Sequence, residues 1–345
     1  MPFTDDDMLK SLIERPDAFS REDESDDSRF YSKPRMVEHL DRTAMKTVTR
    51  LIGDLIVERR PRILDLMAAV DSHLPADLKT IETVGVGLNE DELKANKRLN
   101  RYIIHDLNKK NSLPFVENSF DVVLNTVSVQ YLTKPLGVFA DIGRILKPGG
   151  LFVVIFSNRF FHDKAVKIWD MLTDDERVRM VKLFFDRTPA LEKAEIFMDM
   201  GRPRPEDDKY YHMGFPSDPI YAVFAEKKGG RSDRPKRLTP SESSGMPSQE
   251  EIKNRKALVS KNMKCPYCQH DLHKWKITEN PWATWDHDLY ICINDACPYV
   301  IRGWRDMFNQ GNHGTSYRLV YDKLKDSFLT IPVPSLNVIK DSVEG

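Results

Sequence analysis

The chain has 345 residues, of which 40% are hydrophobic and 30% are charged, and its formal net charge is -1. This composition suits about two soluble domains and excludes a chain that is disordered throughout. The longest strongly apolar run, Leu151–Phe156, is far shorter than the ~20 residues of a membrane-spanning helix. The acidic N-terminus also lacks the basic and apolar regions of a signal peptide, so the sequence predicts a cytoplasmic protein with no membrane contact.

Residues 1–30 form an acidic segment, because the first 27 residues hold ten Asp and Glu against three Lys and Arg. Such a dense run of like charges predicts a flexible leader. From Met36 to Ile56, apolar residues recur at spacings of three and four, which predicts an amphipathic helix.

Residues 31–226 alternate short β-rich runs with helical segments, which predicts an α/β fold with a doubly wound, mostly parallel sheet. A helix with an apolar stripe from Leu136 to Leu146 should stop at the turn sequence 147–150. Residues 160–211 read as helical stretches and a polar loop, interpreted as a helical cap over the open end of the sheet. The predicted strands are Arg62–Met67, Thr83–Gly87, Tyr102–His105, Phe120–Asn125, Leu151–Ser157 and Ile220–Ala225.

Residues 227–262 are rich in Pro, Gly and Ser and hold ten Lys and Arg against four Asp and Glu, which predicts a basic linker. Residues 263–345 then form a second, small β-rich unit. Its four cysteines follow a C-x2-C, 23-residue, C-x4-C spacing, which is close to a zinc ribbon. They are Cys265, Cys268, Cys292 and Cys297.

Four thiolates fill a tetrahedral Zn²⁺, so the predicted metal site is structural and has no open position for a reaction. Two disulfides are the alternative, disfavoured in a cytosolic protein. Nearby histidines, including His270, could replace a ligand. The aromatic residues around the cysteines suit either a core of the small domain or a platform for a partner.

Polar residues follow several predicted strands. In an open parallel sheet, ligands bind outside the carboxyl ends of the strands. The residues at these ends that could bind a ligand are Asp65, Met67, Ala69, His73, Gly87, Asn89, Asp106, Asn125, Ser128, Gln130 and Tyr131.

Each of these residues also has a structural interpretation. Asp65 could satisfy backbone donors at its strand end, while Asn89 and Asp106 could cap helices. Asn125, Ser128 and Gln130 could bond only to nearby backbone.

The run Arg62-Ile63-Leu64-Asp65-Leu66, the pair His105-Asp106, and the segment from Leu113-Pro114-Phe115 to Lys147-Pro148-Gly149-Gly150 resemble class I S-adenosylmethionine-dependent methyltransferases of the type 11 group. The likeness covers roughly residues 36–226. It implies a Rossmann-like fold and S-adenosylmethionine as cofactor, with Asp65, Met67, Ala69, Gly87, Asn89, Asp106 and Asn125 on the cofactor side.

Two positions depart from the family pattern. Met67, Ala69 and Asp71 stand where the family has glycines, and Gly87 stands where an acidic residue normally binds the ribose. A branch of the group with Leu-Asp-Leu-Met and Ser-His-Leu-Pro in place of the glycine loop is similar to residues 64–67 and 72–75 here.

Methyl transfer depends mainly on positioning, so a missing general base does not exclude it. The sequence therefore predicts a methyltransferase for an unidentified small-molecule or protein acceptor. On the substrate side we place His73, Asn125, Ser128, Gln130 and Tyr131.

The alternative is a catalytically inactive methyltransferase-like protein whose zinc ribbon recognises a protein or nucleic-acid partner. Because the basic charge is confined to the linker, nucleic acid is the less favoured partner.

Overall fold

A computed structural model of the chain describes residues 5–230, 237, 245–277, 285 and 287–344. The chain divides into two compact units. The first comprises residues 1–40, 44–198 and 220–240, and the second comprises 41–43, 199–219 and 241–345. No helix in the described ranges is long and apolar enough to cross a bilayer.

The N-terminal two thirds of the chain contain the larger sheet and its helices. In chain order, the elements are α1 (Asp5–Ile13), α2 (Asp27–Phe30), α3 (Arg42–Leu55), β1 (Arg62–Leu66), β2 (Glu82–Gly87), α4 (Glu90–Ala95), β3 (Arg101–Ile104), β4 (Phe120–Thr126), α5 (Pro135–Ile145), β5 (Leu146–Phe156), α6 (Lys167–Met171), α7 (Asp174–Asp186), β6 (Glu195–Asp199) and β7 (Ile220–Glu226).

These strands form one seven-stranded sheet in the order β3-β2-β1-β4-β5-β7-β6. Strands β1 to β5 pair in parallel, whereas β7 pairs antiparallel with β5. The predicted α/β fold with a mostly parallel sheet is confirmed. The strand order reverses between β1 and β4, which is where an open sheet of this kind leaves a ligand crevice.

The sheet carries helices on its faces. The apolar stripe of α3, including Val48, Leu51 and Ile52, is fully buried against the strands. Elsewhere in the unit, Phe184 and Phe185 of α7 make edge-to-face contacts with Phe139 of α5 at ring-centroid distances of 5.6 and 5.2 Å. These packed aromatic and branched side chains provide most of the apolar burial of the unit.

The structure corrects three predicted boundaries. Helix α3 begins at Arg42, and Met36 and Val37 are exposed at 51% and 57%, because the chain before the helix forms turns and bends. Residues 147–150 belong to β5, where a bulge between Phe120 and Val122 of β4 accommodates them. Strand β6 lies inside the range predicted to be helical.

The N-terminal segment is not the flexible leader that its charge predicted. Helix α1 buries Leu9 and Ile13, and Phe19 packs on Phe184. The acidic side chains are neutralised by partners distant in sequence. Lys164, whose side chain is fully buried, lies 3.0 Å from Asp23 and 3.3 Å from Asp27.

The predicted helical cap is also corrected. Its helix α7 packs on the sheet through its two phenylalanines, as Phe152 of β5 lies 4.9 Å from Phe185. It therefore covers a face of the sheet rather than its open end.

The second unit contains a four-stranded antiparallel sheet in the order β11-β10-β9-β8. Residues 249–262 of the predicted linker form two helices, the first opened by a capping box between Ser248 and Glu251. Residues 316–322 and 327–333 form an antiparallel hairpin. The elements are α8 (Gln249–Lys256), α9 (Val259–Asn262), β8 (His273–Trp275), β9 (Leu289–Ile291), α10 (Pro298–Asn309), β10 (Ser316–Asp322) and β11 (Ser327–Val333).

Aromatic residues of the second unit contribute to its core. Trp304 is 7% exposed and packs beside the cysteines, while Trp275 and Trp285 pack against a neighbouring apolar cluster. Trp282 lies outside the described residues.

Candidate functional site

The carboxyl ends of β1 and β4 lie side by side, since Leu66 pairs with Asn125. Because a strand is followed there by a loop rather than by another paired residue, polar groups at this edge have few backbone partners. We refer to the space between these two strand ends and the loops that follow them as the crevice.

Five buried side-chain oxygens at the crevice have no hydrogen-bond partner within the described part of the chain. A buried polar atom without a partner costs about 1–3 kcal/mol, so a cluster of five indicates a place for a ligand. The atoms are Asp65 Oδ2, Asn125 Oδ1, Thr126 Oγ1, Ser128 Oγ and Gln130 Oε1.

Asp65 carries the one ionisable group among these five residues. Its residue is 4% exposed, and burial raises the pKa of its carboxyl to about 7 from the ordinary 3.8. A hydrogen bond from Ser72 and the nearby His73 only partly offset that effect. The carboxyl is therefore poised to lose its proton when a cationic or hydrogen-bond-donating ligand arrives.

Three residues without glycine's freedom adopt left-handed backbone conformations at the crevice. Met67 and His73, which follow β1, have φ values of 58° and 53°, and Val127, which follows β4, has φ 53°. For Val127 this is a genuine outlier because its side chain is β-branched. Backbone strain of this kind concentrates at functional sites, where the surrounding structure maintains it.

The loop after β1 is held in place by neighbouring residues. Ala68 donates its backbone N–H to Val86 (2.8 Å), and Asn96 Nδ2 donates to the carbonyl of Ala69 and to Ser72 Oγ, both at 2.9 Å. Gly87 makes this approach feasible, since a Cβ there would lie 2.5 Å from the Ala68 carbonyl oxygen. The loop is thus rigidly attached to the end of β2.

Two predicted site residues have structural roles. Asn89 caps α4 by accepting from the backbone of Asp91 and Glu92, and its Nδ2 donates to the carbonyl of Tyr31 (2.8 Å). The oxygen of this amide therefore caps the helix, and its nitrogen binds the N-terminal segment. Asp106 Oδ1 similarly accepts from the backbone N–H of Asn108 (2.9 Å), in a turn that follows β3.

The segment after β4 presents the substrate-side residues. Gln130 is fully buried, and its side-chain nitrogen Nε2 donates to the Val127 carbonyl at 3.0 Å. Its side-chain oxygen Oε1 has no hydrogen-bond partner among the described residues. The Tyr131 hydroxyl accepts from the backbone N–H of Phe161 at 2.9 Å, and the two rings stack. Burial raises the pKa of Tyr131, so its hydroxyl stays protonated.

Residues 21–35 cover this end of the sheet. Asp27 accepts from Asn108, which follows β3, and the Arg35 backbone donates to Glu92 of α4. Arg35 also places its guanidinium carbon 5.3 Å from the ring of Phe161, which follows β5. The segment predicted to be a free leader therefore contacts residues that follow several strands.

Comparisons with known proteins bear on this unit. Residues 70–154 match the model of a family described as a methyltransferase domain. This part of the chain is similar to methyltransferase domains. The match covers β4, most of β5 and the loop after β1 from residue 70 onward, and it includes four of the five oxygens. Strand β1 and Asp65 precede it.

Two curated relatives match parts of the chain. The ubiquinone/menaquinone biosynthesis C-methyltransferase UbiE of Shewanella oneidensis is 25% identical over 164 residues, which is 44% of this chain and 63% of that protein. The biotin biosynthesis bifunctional protein BioHC of Teredinibacter turnerae is 39% identical over 64 residues, 19% of this chain and 10% of that protein. The chain thus spans less than two thirds of either relative.

A solved structure with a similar fold is a S-adenosylmethionine-dependent methyltransferase, possibly a histamine N-methyltransferase, of Thermotoga maritima. It is 17% identical, covers 55% of this chain and 90% of its own, and has a TM-score of 0.40.

The two departures from the family pattern explain each other in the methyltransferase domain. Met67 replaces a glycine yet keeps a φ of 58°, which glycine adopts freely. Any side chain at position 87 would clash with the Ala68 carbonyl oxygen. The conformation of the loop after β1 and the absence of a side chain at position 87 are therefore linked through the Ala68 carbonyl.

The four cysteines of the second unit come together as the spacing predicted. Their sulfur atoms lie within 4.8 Å of one another, and Cys265, Cys292 and Cys297 are fully buried. The Sγ atoms of Cys265 and Cys297 are 3.9 Å apart and those of Cys268 and Cys292 are 3.6 Å apart. A tetrahedral Zn²⁺ with bonds of about 2.3 Å separates its sulfur ligands by about 3.8 Å.

All four thiols are free, and both distances exclude disulfides, whose sulfurs are about 2.05 Å apart. Tight turns present the ligands: Cys265 accepts from the Gln269 backbone N–H, and Cys297 caps α10. His270 is exposed, and its Nδ1 lies 3.1 Å from the Cys268 carbonyl, outside the sulfur cluster.

Sequence reasoning missed residues that build the crevice without belonging to a motif. Thr126 carries one of the five oxygens, and Asn96 fixes the loop after β1. Lys164 anchors the covering segment. Phe30 and Tyr31, two aromatic residues in an acidic stretch, were a signal that this stretch packs against the domain.

Proposed function

We propose that the chain is an S-adenosylmethionine-dependent methyltransferase whose cofactor binds in the crevice between β1 and β4. The observation that supports this most directly is the set of five buried oxygens without partners. The cofactor offers ribose hydroxyls, an exocyclic amine, an ammonium group and a positive sulfonium. A carboxyl and amide oxygens suit such a ligand, whereas they would repel a phosphate.

Asp65 and Asn125 would hold the polar groups of the cofactor, because they lie at the carboxyl ends of two adjacent strands, where Asn125 pairs with Leu66, the residue after Asp65. The backbone of residues 67–71 would approach it from the β1 side. When bound, the cofactor supplies an activated methyl group. Positioning the acceptor in line with it contributes up to about 7–11 kcal/mol to such a reaction.

The acceptor would lie beside Ser128, Gln130 and Tyr131, under the covering segment 21–35. We infer a small molecule or a protein side chain, since the buried hydroxyl and amide groups there suit polar recognition. The four cysteines of the second unit would hold one Zn²⁺ with a structural role, because they leave no coordination position for a reaction.

The test is a calorimetric titration of the full chain with S-adenosylmethionine and S-adenosylhomocysteine. We expect micromolar affinity, and at least a tenfold loss, about 1.4 kcal/mol, in Asp65→Asn and Asn125→Ala. Asp77→Asn, at an exposed carboxyl beyond the same loop, is the matched control and should bind like the parent. An absence of binding would favour the inactive, partner-binding alternative.

A further inference from the structure

The loop after β1 contains a His–Asp pair that lies where the family has part of its glycine loop. Asp71 Oδ1 accepts the backbone N–H of His73 at 3.0 Å, and Asp71 Oδ2 lies 3.1 Å from His73 Nδ1. One carboxylate thus fixes both the backbone and the ring of the same residue. The hydrogen bond from His73 lowers the pKa of Asp71, which keeps it ionised.

We propose that Asp71 and His73 form a proton-accepting dyad facing the crevice, with His73 Nε2 as the base that deprotonates a protic methyl acceptor. The proposal rests on the proposed function, and it adds the chemical class of the acceptor: a hydroxyl, thiol or N–H group that must lose a proton.

The geometry of the pair supports this role. Because the Asp71 carboxylate lies 3.1 Å from Nδ1, it favours the neutral tautomer with the hydrogen on Nδ1 and the lone pair on Nε2. Nε2 has no hydrogen-bond partner among residues 5–230 or in the rest of the described chain. His73 is partly buried, with 19% of its side chain exposed, so the ring is fixed yet reachable.

The surroundings of the ring connect it to the crevice. His73 is close enough to the buried carboxyl of Asp65 to lower its pKa through charge interaction. It has the same effect on the pKa of His39 in the N-terminal segment. The titratable groups near it are therefore Asp71, Asp65 and His39. The φ of 53° at His73 is maintained by the Asp71 contact, consistent with strain retained for a function.

The reaction balances as follows. The acceptor proton moves to His73 Nε2, and the electron pair left on the acceptor atom forms the bond to the methyl carbon. The carbon–sulfur bond breaks with its pair remaining on sulfur, which becomes a neutral thioether. The resulting imidazolium is stabilised by Asp71 until the proton passes to solvent.

The test uses the full chain and diethyl pyrocarbonate, which modifies the unprotonated nitrogen of a histidine ring, with each histidine monitored by peptide mass spectrometry. We expect His73 to be modified, and S-adenosylhomocysteine at about 100 times its Kd to slow that modification by at least about tenfold. His162 is the matched control. Its Nδ1 also pairs with a carboxylate, Asp170, at 2.8 Å, but its side chain is 69% exposed, so the ligand should not protect it.

Asp71→Asn tests the dyad itself. In this variant, the side-chain oxygen of the new asparagine should still accept the hydrogen bond from the His73 backbone N–H. The amide nitrogen would then face Nδ1 and donate to it. That forces the ring hydrogen onto Nε2, and the modification of His73 should slow at least about threefold. Asp170→Asn should leave His162 reactive, since no backbone bond fixes that carboxylate.

Two outcomes overturn the proposal. If His73 is modified equally with and without bound S-adenosylhomocysteine, its ring does not face the crevice. If Asp71→Asn leaves the rate unchanged, the pair does not set the tautomer. Calorimetry on the same samples keeps these failures separate from a failure of the proposed function, in which the ligand would not bind at all. His73→Asn, which tolerates the left-handed backbone, provides a folded variant for the assignment of the modified peptide.

Discussion

The cysteine cluster and the crevice both gather buried polar or ligating atoms, but they differ in completeness. The cluster brings four identical donors to within 4.8 Å, the number that one tetrahedral metal requires. The crevice brings together five oxygens of different chemical kinds, and none of them has a partner among the described residues. The first site is complete with one ion, whereas the second needs a larger ligand with several donors.

This difference has energetic consequences. Metal binding to a four-cysteine site contributes on the order of 10 kcal/mol to the folding of a small domain. Buried oxygens without partners instead reduce the free energy of unfolding by about 1–3 kcal/mol each. The crevice is therefore maintained by the rest of its unit, and ligand binding should stabilise it.

The largest expected effect comes from breaking the cysteine site. Cys265→Ser should abolish zinc binding and unfold the second unit, because the lost coupling is on the order of 10 kcal/mol. Elemental analysis and hydrogen exchange by mass spectrometry measure the two effects. His270→Ala is the control and should retain the metal. Retained zinc in Cys265→Ser would contradict a four-cysteine site.

A second large effect should follow from removing the anchor of the covering segment. Lys164 is fully buried and bonds to the Ser25 carbonyl at 2.8 Å as well as to Asp23 and Asp27. Lys164→Met leaves Asp27 with only Arg21 as a charged partner within the described chain, at a cost of about 3 kcal/mol. Faster hydrogen exchange and tryptic cleavage in residues 21–35 are the expected results.

Lys167→Met is the matched control for this prediction. Its ammonium pairs with Asp17, but the side chain is 50% exposed, so removing it should leave exchange in residues 21–35 unchanged. Equal effects of the two variants would mean that the buried position of Lys164 is not what holds the segment.

The same contrast explains what the sequence could predict. The cysteine site is encoded by local spacing, so its four ligands were found directly. Asp65 and Asn125 were found because they end predicted strands of a recognisable sheet. The N-terminal segment was mispredicted because Lys164 pairs with its carboxylates and Asn108 donates a hydrogen bond to one of them. Both residues lie more than 80 positions away in the sequence, and no local pattern reports such partners.

Strand β6 and residues 147–150 were mispredicted for a related reason. Lys147-Pro148-Gly149-Gly150 has the composition of a turn, yet the sheet accommodates it through a bulge opposite Phe120 and Val122. Tertiary pairing overrides local propensity at such positions. Thr126 was missed because its oxygen is exceptional only in lacking a partner, which is a property of the folded structure.

A smaller effect should result from filling the contact between the β1 loop and β2. In Gly87→Ala the new Cβ would meet the Ala68 carbonyl at 2.5 Å, and the backbone must shift. We expect a loss of about 1–3 kcal/mol in the free energy of unfolding, with weaker S-adenosylhomocysteine binding. Gly137→Ala is the control, because the three atoms nearest to its Cβ all belong to the Asn111 side chain, whose amide end can move. Denaturant unfolding and calorimetry measure both.

The smallest predicted effect is a pH dependence caused by the Asp65 carboxyl. It tests whether the crevice lacks a partner for the charge of this group. In the folded protein this carboxyl has a pKa of about 7, whereas in the unfolded chain it has the ordinary pKa of 3.8. The folded state therefore binds more protons between these pH values. The contribution of Asp65 to the free energy of unfolding is fully present below about pH 4 and declines as pH rises to about 7.

Ligand binding should show the opposite trend, because the ionised carboxylate is the form that accepts from the cofactor's donors. We expect the affinity for S-adenosylhomocysteine to rise up to about tenfold between pH 6 and pH 8, with proton release on binding. Calorimetry in buffers of different ionisation enthalpy measures the released proton. Asp65→Asn should bind weakly at every pH and release none from this position. If the parent shows the same flat profile, the carboxyl is already ionised in the free protein, and a partner within the crevice must then stabilise its charge.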